Sequence, residues 1–192
     1  MIGNDVVDLG DPESRAEARH PRFDGRVFDE TERALIGASP EPERTRWLLW
    51  AAKESAYKAA RKEDPHTVFA PSRFVVRLEG DARISVAVGE RRFQVDLVAG
   101  ADHVHAVARA EGDSPDATCT AVAKLPEGAT GSDAARWLAI ATLSHVLGVA
   151  PEGLAIRRAG RIPTLWLRGC ASSADLSLSH HGRFVAFACT LP

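Results

Sequence analysis

Asp5 occupies a position where a carboxylate needs a partner. It lies in the run IGNDVVDL (residues 2–9), which is largely apolar and β-branched and is followed by Gly10-Asp11-Pro12, so we predict a strand that ends in a turn. An unpaired carboxylate in such a strand is unfavourable, and a metal ion is a natural partner. Asp8 would point to the opposite side of a regular strand, because side chains alternate. A role in forming the turn also accounts for Asp8.

Glu54 is the second candidate carboxylate, within the sequence WLLWAAKESAYKAA. Residues 44–62 contain neither proline nor glycine and predict a helix. Helical spacing places Glu54 and Lys58 on one stripe with the tryptophans, and Lys53 on a neighbouring stripe. A solvated i,i+4 ion pair is one interpretation. A partly desolvated pair in a groove, as is typical of working sites, is the other.

The segment Ser179-His180-His181-Gly182 separates two strand-like runs and predicts a tight turn. Backbone N–H groups, a hydroxyl and imidazoles in such a turn can bind phosphate, although an ordinary hairpin loop explains the same residues. No G-x-S-x-G pattern accompanies the Ser-His pair, which argues against a hydrolase of that type. The dinucleotide-binding pattern G-x-G-x-x-G and the P-loop pattern do not occur either.

The elements that must position these residues repeat along the chain. Each half predicts a strand, a helix and several further strands, and HVHAVARA near residue 105 resembles HGRFVAFA near residue 185. The segment EGDSP, residues 111–115, is the best linker. We therefore predict an α+β fold of two similar lobes, a pseudo-dimer, with each lobe a helix packed on a small, mostly antiparallel sheet. The predicted lobes are residues 1–112 and 113–192.

Composition excludes several classes of protein. The 192 residues are 45% hydrophobic and carry a net charge of −2, so no basic field marks a nucleic-acid-binding protein. The three cysteines lack zinc-site spacing and are typical of reduced thiols. We find no secretion signal and no apolar run long enough to span a bilayer. We therefore expect a soluble, cytoplasmic protein without a membrane or nucleic-acid partner.

The motifs IGNDVVDL, WAAKESAYKA and GRIP…LSLSHHGRFVAFA together resemble the signature of the 4'-phosphopantetheinyl transferase superfamily. That superfamily includes the small holo-acyl-carrier-protein synthases and the two-lobed surfactin-synthetase type. The resemblance implies an enzyme that transfers 4'-phosphopantetheine from coenzyme A to a serine of an apo acyl or peptidyl carrier protein. It also implies that Mg²⁺ is required and that 3',5'-ADP is released.

The resemblance also implies roles for individual residues. The implied metal ligands are Asp5, Glu54 and, as a third, Asp8. The implied coenzyme A contacts are Lys53, Lys58, Arg161, Ser179 and His180. Asp5, Glu54 and Lys58 are the implied catalytic residues, and Glu54 is also a candidate to accept the serine proton. Arg161 stands where the family usually has the lysine of a G-K-P motif, and an arginine preserves the charge with a different geometry.

Two departures from the family pattern affect the interpretation. Val7 stands where the two-lobed enzymes usually have an acidic residue, whereas the small synthases place an acid at the next position, as Asp8 does here. The Ser-His motif comes last, which is the order of a small synthase, in a chain much longer than one such unit. We interpret this as two fused lobes in swapped order. The active site would then lie in the cleft between them, so that one monomer forms one complete site.

Two alternatives and one partner surface follow from the same residues. The protein could be a non-catalytic module of the same fold that binds coenzyme A or a carrier protein. It could also be an unrelated small α+β protein.

Carrier proteins of this class tend to be acidic around their serine, and a basic docking patch is therefore expected. Its candidate residues, which a solvated charged loop explains as well, are Arg15, Arg19, Arg22 and Arg26.

Overall fold

The computed structural model of this chain describes residues 1–79, 83–160 and 162–191. Its helices are α1 (Phe23–Val27), α2 (Glu30–Ala38), α3 (Pro42–Glu63) and α4 (Gly131–Leu147). The strands of the first half are β1 (Ile2–Asp8), β2 (Val75–Glu79), β3 (Arg83–Val88), β4 (Arg91–Ala99) and β5 (His103–Ala110). Those of the second half are β6 (Thr118–Lys124), β7 (Leu154–Ala159), β8 (Ile162–Leu167), β9 (Cys170–His181) and β10 (Phe184–Thr190).

The strands form two antiparallel sheets with equivalent strand orders. The first sheet runs β1-β5-β4-β3-β2 and the second runs β6-β10-β9-β8-β7. In each, the first strand of the half lies at an edge, a long helix follows it in the chain, and four antiparallel strands complete the sheet. The predicted α+β architecture of two similar lobes, each with a helix and an antiparallel sheet, is confirmed.

Small residues allow α3 to lie close to β1. Ala52, Ala56 and Ala59 are fully buried on α3. Gly3 of β1 approaches the helix backbone so closely that a Cβ there would collide with the carbonyl oxygen of Ser55. This close packing fixes the distance between β1 and α3, the elements that carry Asp5 and Glu54.

Strand β1 also contacts the second lobe. The backbone N–H of Asn4 donates to Ser177 Oγ at 2.9 Å, and Asn4 Nδ2 donates to the Ser177 carbonyl oxygen at 2.9 Å. Val6 packs with Phe184 and Ala186 of β10 in a buried apolar cluster. Even-numbered residues of β1 therefore face the second lobe, while Asp5 and its odd-numbered neighbours face α3.

One local prediction, the turn at residues 179–182, requires correction. Strand β9 continues through His181, and the turn is Gly182-Arg183 rather than residues 179–182. Pairing of His181 with Phe184 leaves a two-residue loop, and Gly182 at φ 51° supplies the positive φ that such a loop needs. Helix α4 is capped by Thr130, whose side chain accepts from the Asp133 N–H.

Helix α3 is the longest of the described helices and is rich in charged residues. No helix in the described ranges has both the length and the apolar composition needed to cross a membrane.

Candidate functional site

A cavity of about 340 Å³ opens where β1, α3 and the end of β9 meet. Asp5, Glu54 and His180 line it together with Trp47 and Trp50. These residues come from three separate segments of the chain, and the fold brings them to one place. The cavity is therefore the candidate site.

Asp5 forms an ion pair across the gap between β1 and α3. Its Oδ1 accepts a hydrogen bond from Lys58 Nζ at 2.8 Å, and the same ammonium donates to the Asn4 carbonyl oxygen at 2.9 Å. Within the described ranges, Lys58 pairs with Asp5 and not with Glu54. The solvated helix pair is therefore not the arrangement that forms, because Lys58 reaches across to β1.

The charged form of Glu54 is destabilised at this site. Burial raises its pKa to about 7, and the charge of Asp5 adds to the increase while Lys58 opposes it. Among the described residues, no hydrogen-bond donor contacts its oxygens. A desolvated carboxylate beside a second carboxylate gains most from a bound cation. Asp5 and Glu54 therefore fit a hard divalent cation such as Mg²⁺, which also retains several water ligands.

Asp8 has no free oxygen lone pair for a metal. Its Oδ1 accepts from the Gly10 N–H at 2.8 Å and from Arg183 Nη2 at 2.6 Å. Its Oδ2 accepts from the Arg183 N–H at 2.9 Å and from Arg183 Nε at 2.8 Å. Four donors occupy the four acceptor positions of the carboxylate, and the Arg183 side chain holds its pKa well below the usual range. This corrects the prediction of Asp8 as a third ligand; it points away from Asp5, as strand alternation predicts.

Lys53 is also placed away from the cavity. Its side chain is 0% exposed, and its Nζ donates to Glu32 Oε2 at 2.8 Å and to the Phe74 carbonyl oxygen at 2.6 Å. Burial lowers the pKa of Lys53. The prediction that Lys53 contacts coenzyme A is therefore corrected, since its ammonium is enclosed in the first lobe. The sequence Asp29-x-x-Glu32 signals a capping box, which forms, but it does not reveal Lys53 as a partner of Glu32.

Ser179 and His180 point to opposite sides of β9. Ser179 is 4% exposed, and its Oγ has no hydrogen-bond partner in the described structure. His180 is exposed, lines the cavity, and lies so near Gly131 of α4 that a Cβ there would be 2.7 Å from the His180 Cγ. Partial burial and the nearby Lys58 charge lower the pKa of His180. The fold therefore brings the His180 imidazole to the candidate site, whereas the Ser179 hydroxyl is not among the lining groups.

A second cavity of about 220 Å³ is lined by Lys58, whose ammonium is bonded to Asp5 of the first cavity. Arg61 and Lys62 of α3 line it opposite Ile162 and Pro163 of β8. Arg161, the predicted nucleotide contact, lies outside the described residues. The sequence interpretation missed Arg61 and Lys62, although their spacing of three and four residues after Lys58 places them on the same face of the helix.

Asp11, Glu13 and His181 form a further cluster, with one ligand atom of each within 4.8 Å of the others. His181 Nδ1 accepts from the Asp8 N–H at 3.1 Å. From that bond we infer that the neutral ring carries its proton on Nε2, which leaves no lone pair there for a metal. As arranged, the cluster does not fit a cation.

A family model described as the 4'-phosphopantetheinyl transferase superfamily matches residues 1–108, the segment that contains Asp5, Glu54 and Lys58. Among solved structures, the chain is similar to the crystal structure of holo-[acyl-carrier-protein] synthase from Thermotoga maritima. The identity is 12% and the TM-score 0.45, over 88% of this chain and 83% of that chain. No curated protein matches.

Proposed function

The chain belongs to the 4'-phosphopantetheinyl transferase superfamily, and from that premise we propose that it transfers the 4'-phosphopantetheine of coenzyme A to a carrier-protein serine. The carrier is an acyl or peptidyl carrier protein, the reaction requires Mg²⁺, and 3',5'-ADP is released. One observation carries the proposal: Asp5 and Glu54, from different elements, face one cavity beside Lys58.

In this proposal Asp5 and Glu54 hold the metal. When bound there, Mg²⁺ supplies positive charge to the pyrophosphate oxygens as negative charge develops on them. Glu54 has a pKa of about 7 in the metal-free protein. Bound to a cation it becomes a weaker base, so we assign it to metal binding rather than to removal of the serine proton.

Lys58 orients the donor. Lys58 lines the second cavity, and its ammonium lies 2.8 Å from the carboxylate of Asp5, which lines the first. There it contacts the pyrophosphate while it also holds Asp5 in place. The serine oxygen forms a bond to the phosphorus next to pantetheine, the bond from that phosphorus to the bridging oxygen breaks, and the serine proton passes to water.

The second cavity is suited to the remaining phosphate and the nucleotide. Arg61 and Lys58 supply positive charge, while Lys62 is engaged by Asp175 Oδ1 at 2.6 Å. Arg161 remains a proposed nucleotide contact from the family resemblance; it lies outside the described residues, and the next two residues in the sequence, Ile162 and Pro163, line the cavity. His180 faces the donor from the second lobe.

The proposal extends to assembly and to the acceptor. We divide the chain into lobes 1–112 and 113–192, and propose a cytoplasmic monomer that acts as a pseudo-dimer. For carrier docking, Arg15, Arg22 and Arg26 are exposed. Arg19 is a weaker candidate, since its Nη1 donates to Glu43 Oε2 at 2.6 Å.

The proposal is tested by intact mass spectrometry of purified apo acyl and apo peptidyl carrier proteins. Each is incubated with this protein, coenzyme A and Mg²⁺, and a parallel reaction contains EDTA. We expect the mass of a phosphopantetheine group on at least one carrier, with no gain in EDTA. Coenzyme A binding without any mass gain, across carriers of both kinds, would instead support a non-catalytic binding module.

A further inference from the structure

The turn between β9 and β10 is fastened to the end of β1 by one residue. The Asp8 side chain is 1% exposed, whereas that of Arg183 is 54% exposed. Asp8 binds the Arg183 backbone N–H and both Nε and Nη2 of its guanidinium. The charged, two-pronged contact is among the stronger kinds of hydrogen bonding in proteins.

The same residue holds the other side of the turn. The Asp8 backbone N–H donates to His181 Nδ1 at 3.1 Å. His181 and Arg183 flank Gly182, so Asp8 forms hydrogen bonds to the residues on both sides of the turn glycine. His180, the next residue along β9, lines the cavity with Asp5 and Glu54.

Two glycines make this contact possible. A Cβ on Gly182 would lie 2.6 Å from Asp8 Oδ2, and the residue also has a positive φ of 51°. A Cβ on Gly10 would lie 2.5 Å from Arg183 Nη2. A side chain at Gly182 would collide with Asp8, and one at Gly10 would displace the end of the Arg183 side chain from Asp8. The close approach of the β9–β10 turn to the end of β1 therefore depends on a glycine in each segment.

We propose that Asp8 and Arg183 are positioning residues that hold His180 and the wall of the second lobe over Asp5 and Glu54. Through this placement they set the affinity for the phosphates of coenzyme A. The metal ligands themselves are left unchanged. The inference rests on the proposed function and adds to it a pair of residues that touch neither the metal nor the donor.

The pair is not needed to hold the lobes together. Val6, Phe184 and Ala186 form a buried apolar cluster between β1 and β10, and Asn4 bonds Ser177 independently. Because the Arg183 side chain is more than half exposed, its loss removes little buried surface. Changing Arg183 should therefore move the turn without unfolding the protein.

The test compares wild type with Arg183→Gln, Arg183→Lys, Asp8→Asn and the double variant Asp8→Asn/Arg183→Gln. Arg77→Gln is the matched control, because Arg77 is 51% exposed and pairs with Asp29 at 3.1 Å elsewhere in the first lobe. Coenzyme A affinity is measured by calorimetry with Mg²⁺, and KM and kcat are measured in the transfer assay. Mg²⁺ binding without coenzyme A is followed by intrinsic tryptophan fluorescence, because Trp47 and Trp50 line the cavity.

We expect Arg183→Gln to weaken coenzyme A binding and to raise its KM by roughly tenfold, the scale seen when a supporting contact is lost. Mg²⁺ binding should not change. Arg183→Lys should recover part of the affinity, and the double variant should be no worse than the worse single variant, because both changes remove one interaction. Arg77→Gln should match wild type.

Two results would overturn the inference. One is an Arg183→Gln variant whose Kd and KM for coenzyme A equal those of wild type and Arg77→Gln. The other is a loss of affinity that follows a lowered melting temperature and that Arg183→Lys does not restore, which is the mark of a purely structural role. If Asp8→Asn does not fold, the Kd and KM values of the Arg183 variants still test the positioning role. Failure of the proposed function is seen separately, as wild type that neither binds coenzyme A nor transfers, and the inference falls with it.

Discussion

Glu54 carries an electrostatic cost in the metal-free fold. Its carboxylate is buried beside Asp5, and both effects raise its pKa from 4.5 to about 7. The free-energy cost is absent below the pKa of the unfolded chain, because the group is then protonated in both states. It grows between pH 4.5 and 7 and is fully present above pH 7.

Glu54→Gln should therefore stabilise the metal-free protein at pH 8 and leave it unchanged at about pH 3, where the carboxyl is protonated in both states. Replacing the charged group with a neutral one of similar shape should raise the free energy of unfolding at pH 8 by about 1–3 kcal/mol. Thermal unfolding in EDTA at the two pH values measures this difference in the free energy of unfolding. Adding Mg²⁺ at pH 8 should then stabilise wild type but not the variant. A variant no more stable than wild type at pH 8 would show that Glu54 bears no such cost.

Residue types in the sequence indicate which carboxylates could do chemistry, but they do not indicate which residues the side chains in the same motifs contact. Asp5 could be singled out because a carboxylate in an apolar strand is unfavourable unless a partner compensates its charge. Lys53 could not be placed correctly, since a helical stripe shows which residues share a face and not what that face meets. Its partner Glu32 lies 21 residues earlier in the chain, and only the packed lobe brings the two together.

The β9–β10 hairpin is the element on which the second-lobe contribution depends. Its existence followed from two strand-like runs around a glycine, but the strand continues further than the polar residues suggested. Ser179 and His180 resemble turn residues in composition, yet both are paired with β10, to Ala186 and Val185. Pairing across the sheet overrides local propensity here.

Gly182→Ala should destabilise the protein more than Gly128→Ala does. Both glycines have positive φ, 51° and 75°, but a Cβ on Gly128 would meet nothing within 4 Å. Gly128→Ala therefore isolates the backbone cost, about 1 kcal/mol, while Gly182→Ala adds the collision with Asp8 and should cost about 2–3 kcal/mol. Urea unfolding measures both. Equal losses would mean that the turn does not approach Asp8 closely.

The whole molecule contains two lobes with equivalent strand orders, and the aspartate that we propose as a metal ligand lies in the first of them. Asp5 is the fourth of seven residues in β1, and Ala121 is the fourth of seven in β6. The equivalent strand of the second lobe thus offers a methyl group where the first offers a carboxylate. This asymmetry supports the proposal of one site per chain.

Calorimetry should accordingly give one coenzyme A bound per chain in the presence of Mg²⁺, with light scattering showing a monomer. A second copy is not required, because each chain supplies both walls of the cleft. Two equivalent sites per chain, or binding only in an oligomer, would contradict the pseudo-dimer proposal.

The duplication was readable from the order of predicted elements and from the linker near residue 113. The position of β1 against the second lobe was not. Asn4 and Ser177 are 173 residues apart, and no local pattern specifies a contact at that separation. The cleft is formed by such contacts, so its walls could be predicted only as an expectation from the family resemblance.

The most direct test of the account is the initial rate of phosphopantetheine transfer by Asp5→Asn and Glu54→Gln, with Glu127→Gln as the control. Glu127 is an exposed carboxylate outside the cleft. Loss of either ligand should lower the rate by at least about a hundredfold, since metal stabilisation of developing charge contributes several kcal/mol. Melting curves should confirm that the variants fold. Glu127→Gln should retain the wild-type rate. A folded Asp5→Asn or Glu54→Gln variant that transfers at the wild-type rate would contradict the assignment of the site.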